Sequence, residues 1–328
     1  MAKDLLQRLQ EFRDKAVRDL SDQHTERLVK TLQTLEAEVI SRASDLPVRG
    51  GKLFDTRVAI AIRPSLKQIL ENIYLVKVAD NINEYDKIAG SIVAQYGELP
   101  LPKEFAELTT ADLELIQQLK KIEYAQFEDL ANEFVSTLSD EIYQSSITGS
   151  TKAEMIERLK GKINGIYQSS DNKEAQELVD FIANNPERTE DIRTATSRLQ
   201  TIYGRDRLGE NLRKYTTQIV QDSIMGFDGR FTKYKADQAG LNHYKYDGTI
   251  IGDSRHFCVE NTGKVFSEEE IRRIWNNRVW KGKAQGDPFD VRGGYNCRHF
   301  WTPVNPDWLD AEGNYKLDWQ NRQLKLKE

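Results

Sequence analysis

The periodicity of the chain changes near residue 240, and no other feature limits its fold as strongly. Upstream, apolar residues recur every three or four positions, the spacing that gathers them on one face of an α-helix. Downstream, glycines and aromatics become dense and apolar residues come in short extended runs, as in strands. The pattern predicts a mainly α fold with a small C-terminal α+β domain and an elongated helical body. Three domains are expected: a helical body or arm over 1–190, a long basic helical segment over 191–240, and a compact domain over 241–328.

The first helix is read from Leu5, Leu9, Phe12, Val17, Leu20, Leu28, Leu32, Leu35 and Val39, and ends at Pro47 and Gly50-Gly51. A second runs from about Pro64 to Tyr96, with Leu66, Ile69, Leu70, Ile73 and Val76 on its apolar side, closed by Pro100 and Pro102. A third starts near Thr110 and carries Leu113, Ile116, Leu119, Ile122, Phe127, Leu130, Phe134 and Leu138. Thr151-x-x-Glu154 and Ser267-x-x-Glu270 are capping boxes, each opening a short helix. Another helix is expected over 174–183, and a long one from about Leu208 to Ala239, stopped by Gly240. Gly226 and Gly229 within it allow a bend or close packing. Strands are expected at 243–246, 249–251 and 300–304, with a loop over 281–294.

With 328 residues, 30% of them charged and 38% hydrophobic, the composition suits helices with much solvated surface. No apolar run reaches the roughly 20 residues that span a bilayer, so no membrane contact is expected. The start lacks a signal-peptide pattern, and two cysteines are too few for a secreted disulfide scaffold, which points to a cytoplasmic origin. The net charge of −5 is uneven: residues 192–245 hold ten Lys/Arg and five acids, so that window is +5 and the remainder −10. Arg205, Arg207, Arg213 and Lys214 are its candidate contacts to phosphate or to an acidic partner. A solvated helix face is the alternative.

Both cysteines and two of the four histidines lie in two short pieces of mirrored order, His256-Phe257-Cys258 and Cys297-Arg298-His299. Two thiolates and two imidazoles form a zinc-compatible tetrahedral set. On strands, residues two apart share a face, so each pair can point one way. The single-residue spacing is unusual for zinc modules, so buried core thiols are the leading reading, with zinc or a Cys258–Cys297 disulfide as the alternatives. Catalysis by Asp253, Arg255, His256 and His299 is disfavoured. No phosphate-binding glycine loop, nucleophile elbow or metalloprotease motif accompanies them.

The stretch from Tyr215 to Val304 resembles the phage Mu F-like minor head proteins, the phage head morphogenesis family. The likeness rests on Asp253-Ser254-Arg255-His256-Phe257-Cys258, Gly263-Lys264-Val265-Phe266, and Gly293-Gly294-Tyr295-Asn296-Cys297-Arg298-His299. His299 stands where the family often has a second cysteine, a swap that keeps a soft-metal ligand. The resemblance implies a virion component without catalytic turnover, present in several copies and contacting portal and capsid proteins. Its role would lie in head assembly and DNA packaging, and its basic segment could face packaged DNA. A nuclease-like or toxin-type effector, and a DNA-binding assembly factor, are the rival readings.

Overall fold

The computed structural model describes residues 5–53, 56–97, 101, 103–167, 177, 207–208, 211–252 and 254–308. Its elements, in chain order, are α1 (Leu5–Ser44), β1 (Val48–Arg49), β2 (Lys52–Leu53), α2 (Thr56–Ala61) and α3 (Arg63–Ile69), then a π-helical turn, Leu70–Leu75. Next come α4 (Val76–Asn83), α5 (Asp86–Gly97), α6 (Thr110–Ile147), α7 (Lys152–Ile163), β3 (Ile166–Tyr167) and β4 (Arg207–Leu208). The last third holds α8 (Leu212–Gln238), β5 (His243–Asp247), α9 (His256–Asn261), β6 (Val265–Ser267), α10 (Glu268–Asn277), α11 (Pro288–Val291) and β7 (Phe300–Val304). The fold is mainly α, with a small C-terminal α+β region. Among the described residues, no helix is long and apolar enough to cross a membrane.

The chain forms two compact units, each discontinuous in sequence. One comprises Val29–Leu75 and Asp129–Thr216. In it α1 buries Leu32, Leu35 and Val39, and α6 buries Phe134, Val135 and Leu138. The Tyr74 hydroxyl lies 3.0 Å from that of Thr216. Thr151 caps α7 in the anticipated capping box, its side chain accepting from the Glu154 backbone N–H. Helix α8 starts later than expected, because Asn211 caps it by accepting from the Lys214 N–H at 2.9 Å. Just upstream, Arg207–Leu208 pairs as a short strand with Ile166–Tyr167.

The second helical stretch is broken rather than continuous. The π-turn at Leu70–Leu75 inserts one residue into the helical repeat, and a turn at Glu84–Tyr85 separates α4 from α5. Tyr74 and Leu75 therefore face inward while Val76, expected on the apolar side, is 49% exposed.

The other unit comprises Met1–Leu28, Val76–Glu128 and Thr217–Glu328. Its interior corrects the apolar stripes read from sequence. In α1 the inward positions are Arg13, Val17, Leu20, His24 and Leu28, while Phe12 is exposed. In α6 they are Asp112, Ile116, Leu119, Lys120, Glu123 and Phe127, with Leu113 and Ile122 exposed. Steps of three and four thus continue through polar residues that the hydrophobic pattern skips. A buried charge must find a partner, and three such pairs link these helices to α8. Arg13 pairs with Asp228, Asp112 with Lys235, and Glu123 with Arg230.

The C-terminal sheet has the antiparallel order β6-β5-β7, with Tyr246 opposite Trp301 and Tyr244 opposite both Phe266 and Pro303. No strand forms at 249–251. After Gly248 (φ +148) the chain leaves the sheet, both neighbours of β5 being already in place, and Ile250 and Ile251 are exposed. Ser267 caps α10 with the second capping box. Gly229 is the close-packing glycine of α8, since a Cβ there would lie 2.2 Å from the Phe289 carbonyl oxygen. The helix expected over 174–183 lies outside the described residues.

Candidate metal centre

The residues of the sequence motif converge on the Tyr246 side of β5. Central pairing and strand alternation bury Tyr244 and Tyr246 completely. The Tyr246 ring stacks on His299 (centroids 5.3 Å apart, planes at 8°) and takes an edge contact from Phe257 (5.6 Å, 78°). Phe257 in turn stacks on Trp280 at 4.2 Å. The Trp280 indole N–H donates to the Gly293 carbonyl at 2.8 Å.

Within this frame the Cys258 and Cys297 sulfurs lie 3.8 Å apart, and His299 Nδ1 is 3.8 Å from Cys297 Sγ. Both cysteines are free thiols. One ligand atom from each of Cys258, Cys297 and His299 falls within 4.8 Å of the others, so the three buried residues could hold a metal ion. The Tyr246 hydroxyl is 3.4 Å from Cys258 Sγ and 3.5 Å from Cys297 Sγ. Cys297 is held well below the usual thiol range, first by the hydrogen bond from Cys258 and then by His299 and Arg292, which outweigh burial. Cys258 is pushed up, mainly by that same hydrogen bond and by burial. Burial also drives the Tyr246 phenol well above its ordinary value.

His256 does not join the cluster. The segment His256–Asn261 is helical, so residues two apart diverge by about 200° instead of sharing a face. Burial at Phe257, Cys258 and Asn261 follows that helical spacing, and His256 points to solvent with an ion pair to Glu260 at 3.4 Å. A four-ligand set containing His256 is therefore excluded by geometry.

The remaining motif residues frame the cluster. Arg255 secures the backbone by donating to the Tyr295 carbonyl. Gly263, at φ +85, donates to the Tyr246 carbonyl at 2.7 Å, and the Lys264 carbonyl accepts from Tyr246 N–H at 2.9 Å. Phe266 meets the Trp301 ring edge-on at 6.1 Å. At Gly293 a Cβ would lie 2.6 Å from Cys258 Sγ and 2.9 Å from Cys297 Sγ. At Gly294 (φ +113) it would lie 1.9 Å from the Gly282 carbonyl oxygen. Asn296, itself at positive φ, donates from its backbone N–H to Asp222 at 2.8 Å, and Arg298 Nε donates to Gln221 at 3.1 Å. Tyr295 is 48% exposed.

Asp253 and Arg205 lie outside the described residues, as does the Arg207 side chain. Lys214 is exposed and sits 5.7 Å above the Tyr215 ring, while Arg213 is half-buried with an interaction partner. Sequence reasoning also missed Tyr246 as a neighbour of the sulfurs; the alternation His243-Tyr244-Lys245-Tyr246 was its available signal. No family model matches the chain, and none of the curated proteins or solved structures searched is significantly similar to it.

Proposed function

We propose that the protein is a phage minor head protein. In this reading it is a virion component, made in the host cytoplasm, that associates in several copies with portal and capsid proteins. It acts in head assembly and DNA packaging without catalytic turnover, and zinc at Cys258, Cys297 and His299 fastens its C-terminal region. One observation carries the reading. Motif pieces separated by some 40 residues form one connected structure, with Cys258 against Cys297, Arg255 on the Tyr295 carbonyl, and Gly293 against both sulfurs. Motif residues serving one another in this way fit a signature kept for architecture rather than for turnover.

Burial supports the same division. Cys258, Cys297 and His299 are 2%, 2% and 4% exposed, burial that suits a structural metal site better than one reached by substrate. The histidine free to meet solvent, His256, has only Glu260 as an ionic neighbour among the described residues.

The direct test is proteomic analysis of purified phage heads together with co-purification of the full chain with its portal protein. Presence in heads and capture by the portal protein are expected; absence from both would sink the assignment. Incubation with DNA, RNA and divalent metals tests the nuclease-like alternative, and cleavage abolished by His256→Ala would replace the structural reading. Elemental analysis of the purified chain should find about one zinc per chain, lost on Cys297→Ala.

A further inference from the structure

We propose that the Tyr246 hydroxyl oxygen is the fourth donor of this centre, closing a tetrahedron of two thiolates, one imidazole and one phenolate. This rests on the reading that Cys258, Cys297 and His299 hold a metal, and it adds a ligand type that the sequence motif does not contain.

Distances carry the argument. A tetrahedral zinc with sulfur at about 2.3 Å and oxygen at about 2.0 Å sets S···S edges of about 3.8 Å and S···O edges of about 3.5 Å. The sulfurs are 3.8 Å apart, and the hydroxyl lies 3.4 and 3.5 Å from them. The Cys297–His299 edge is 3.8 Å, against an ideal of about 3.6 Å for S···N. Four of the six edges thus already have nearly the lengths that one tetrahedral ion would set.

Space argues against water in the fourth position. The Gly293 backbone closes over the group so tightly that a Cβ there would lie 2.6 and 2.9 Å from the sulfurs and 3.0 Å from the hydroxyl. Nor can the hydroxyl swing away. Tyr246 lies on the central strand, its ring fixed by His299, Phe257 and Trp301, the last at 4.4 Å. A donor held this way needs little reorganisation to bind.

Charge is consistent as well. Two thiolates and a phenolate around a divalent ion leave one negative charge on the centre. Arg292, 1% exposed and with no hydrogen-bond partner for Nε among the described residues, is a buried positive charge whose field also reaches Asp222 and Asp290.

The test uses the full chain, stripped of metal and reconstituted with zinc or cobalt(II). Wild type should take up one metal per chain, and zinc should produce the ultraviolet difference band of a tyrosinate. Tyr246→Phe should lose that band and bind at least about 100-fold more weakly, beyond what outer-shell changes usually cause. Its cobalt spectrum should shift from that of a closed site. Wild type that binds zinc without the tyrosinate band overturns the proposal and leaves the three-ligand reading standing, even if Tyr246→Phe fails to fold. Equal affinity and an unchanged cobalt spectrum in folded Tyr246→Phe do the same. Folded wild type that takes up no metal overturns both readings.

Discussion

Arg13 and Asp228, 215 residues apart in the chain, meet in an ion pair with Nε 2.9 Å from the carboxylate and side chains only 2% and 1% exposed. Thr232 accepts a further donation at 2.7 Å, and the guanidinium lies over the Phe300 ring at 4.9 Å. Removing one partner strands a desolvated charge. Asp228→Ala should therefore destabilise by about 3–5 kcal/mol, whereas an apolar double replacement at Arg13 and Asp228 should recover most of the loss. Urea denaturation measures both. A single-variant cost below about 1 kcal/mol would show the pair to be energetically idle.

Gly293→Ala should disrupt the cysteine centre more than the fold. The added methyl has no place among the two sulfurs and the Tyr246 hydroxyl, and the surrounding elements must shift. We expect a loss of about 1–3 kcal/mol. Metal content should fall at the same time; a variant with wild-type metal and stability would mean the loop is looser than these distances imply.

Mild acid should weaken the packing of α1 around His24. This residue is buried, stacks on Tyr85, and has its pKa lowered from 6.5 to about 4, chiefly by desolvation. Its neighbours are Glu84, which opposes the shift, and Arg27 and Lys87, which add to it. Because the folded state binds this proton less readily than the unfolded chain, its contribution is complete above pH 6.5 and is lost as pH falls toward 4. The loss should approach about 2–3 kcal/mol, as a shift of this size implies. Glu84, lowered to about 2, adds a further loss below pH 4.5. Stability profiles of wild type and His24→Phe should diverge between pH 6.5 and 4. Parallel profiles would remove His24 as the cause.

Ser267→Ala should cost about 1 kcal/mol by removing the acceptor for the Glu270 N–H at the start of α10. The same change at Thr151 tests α7. Thermal melts suffice, and an unchanged melting temperature in both would contradict the capping role.

His256→Ala should leave metal content and melting temperature as in wild type, since among the described residues its side chain forms an ion pair with Glu260 alone. Loss of metal in this variant would reinstate the four-ligand set and contradict the helical geometry of α9.

The two capping boxes and the glycine stop after α8 are readable in the sequence because short-range hydrogen bonding specifies them, and β5 and β7 because their residues favour extended backbone, whereas β6 is not among the expected strands. Inward polar residues are not. Arg13, Asp112 and Glu123 sit at the correct helical spacing, but only partners far along the chain turn those positions into core. The cluster is half legible. Cys297 and His299 do share the site, as their spacing suggests. His256-Phe257-Cys258, by contrast, looks extended from its alternation, although burial of Phe257, Cys258 and Asn261 has helical spacing. Tyr246 escapes notice because strand alternation marks its face as buried without showing which side chains pack against it.

The discontinuous make-up of the unit containing Met1–Leu28 has a consequence for its synthesis. A ribosome delivers Arg13 long before Asp228, and Asp112 long before Lys235. For most of translation those charges belong to helices whose docking surface does not yet exist. The unit can therefore close only after α8 has emerged, so its folding depends on segments far apart in the chain. Truncations before residue 228 should accumulate as protease-sensitive, chaperone-bound chains, however sound their individual helices.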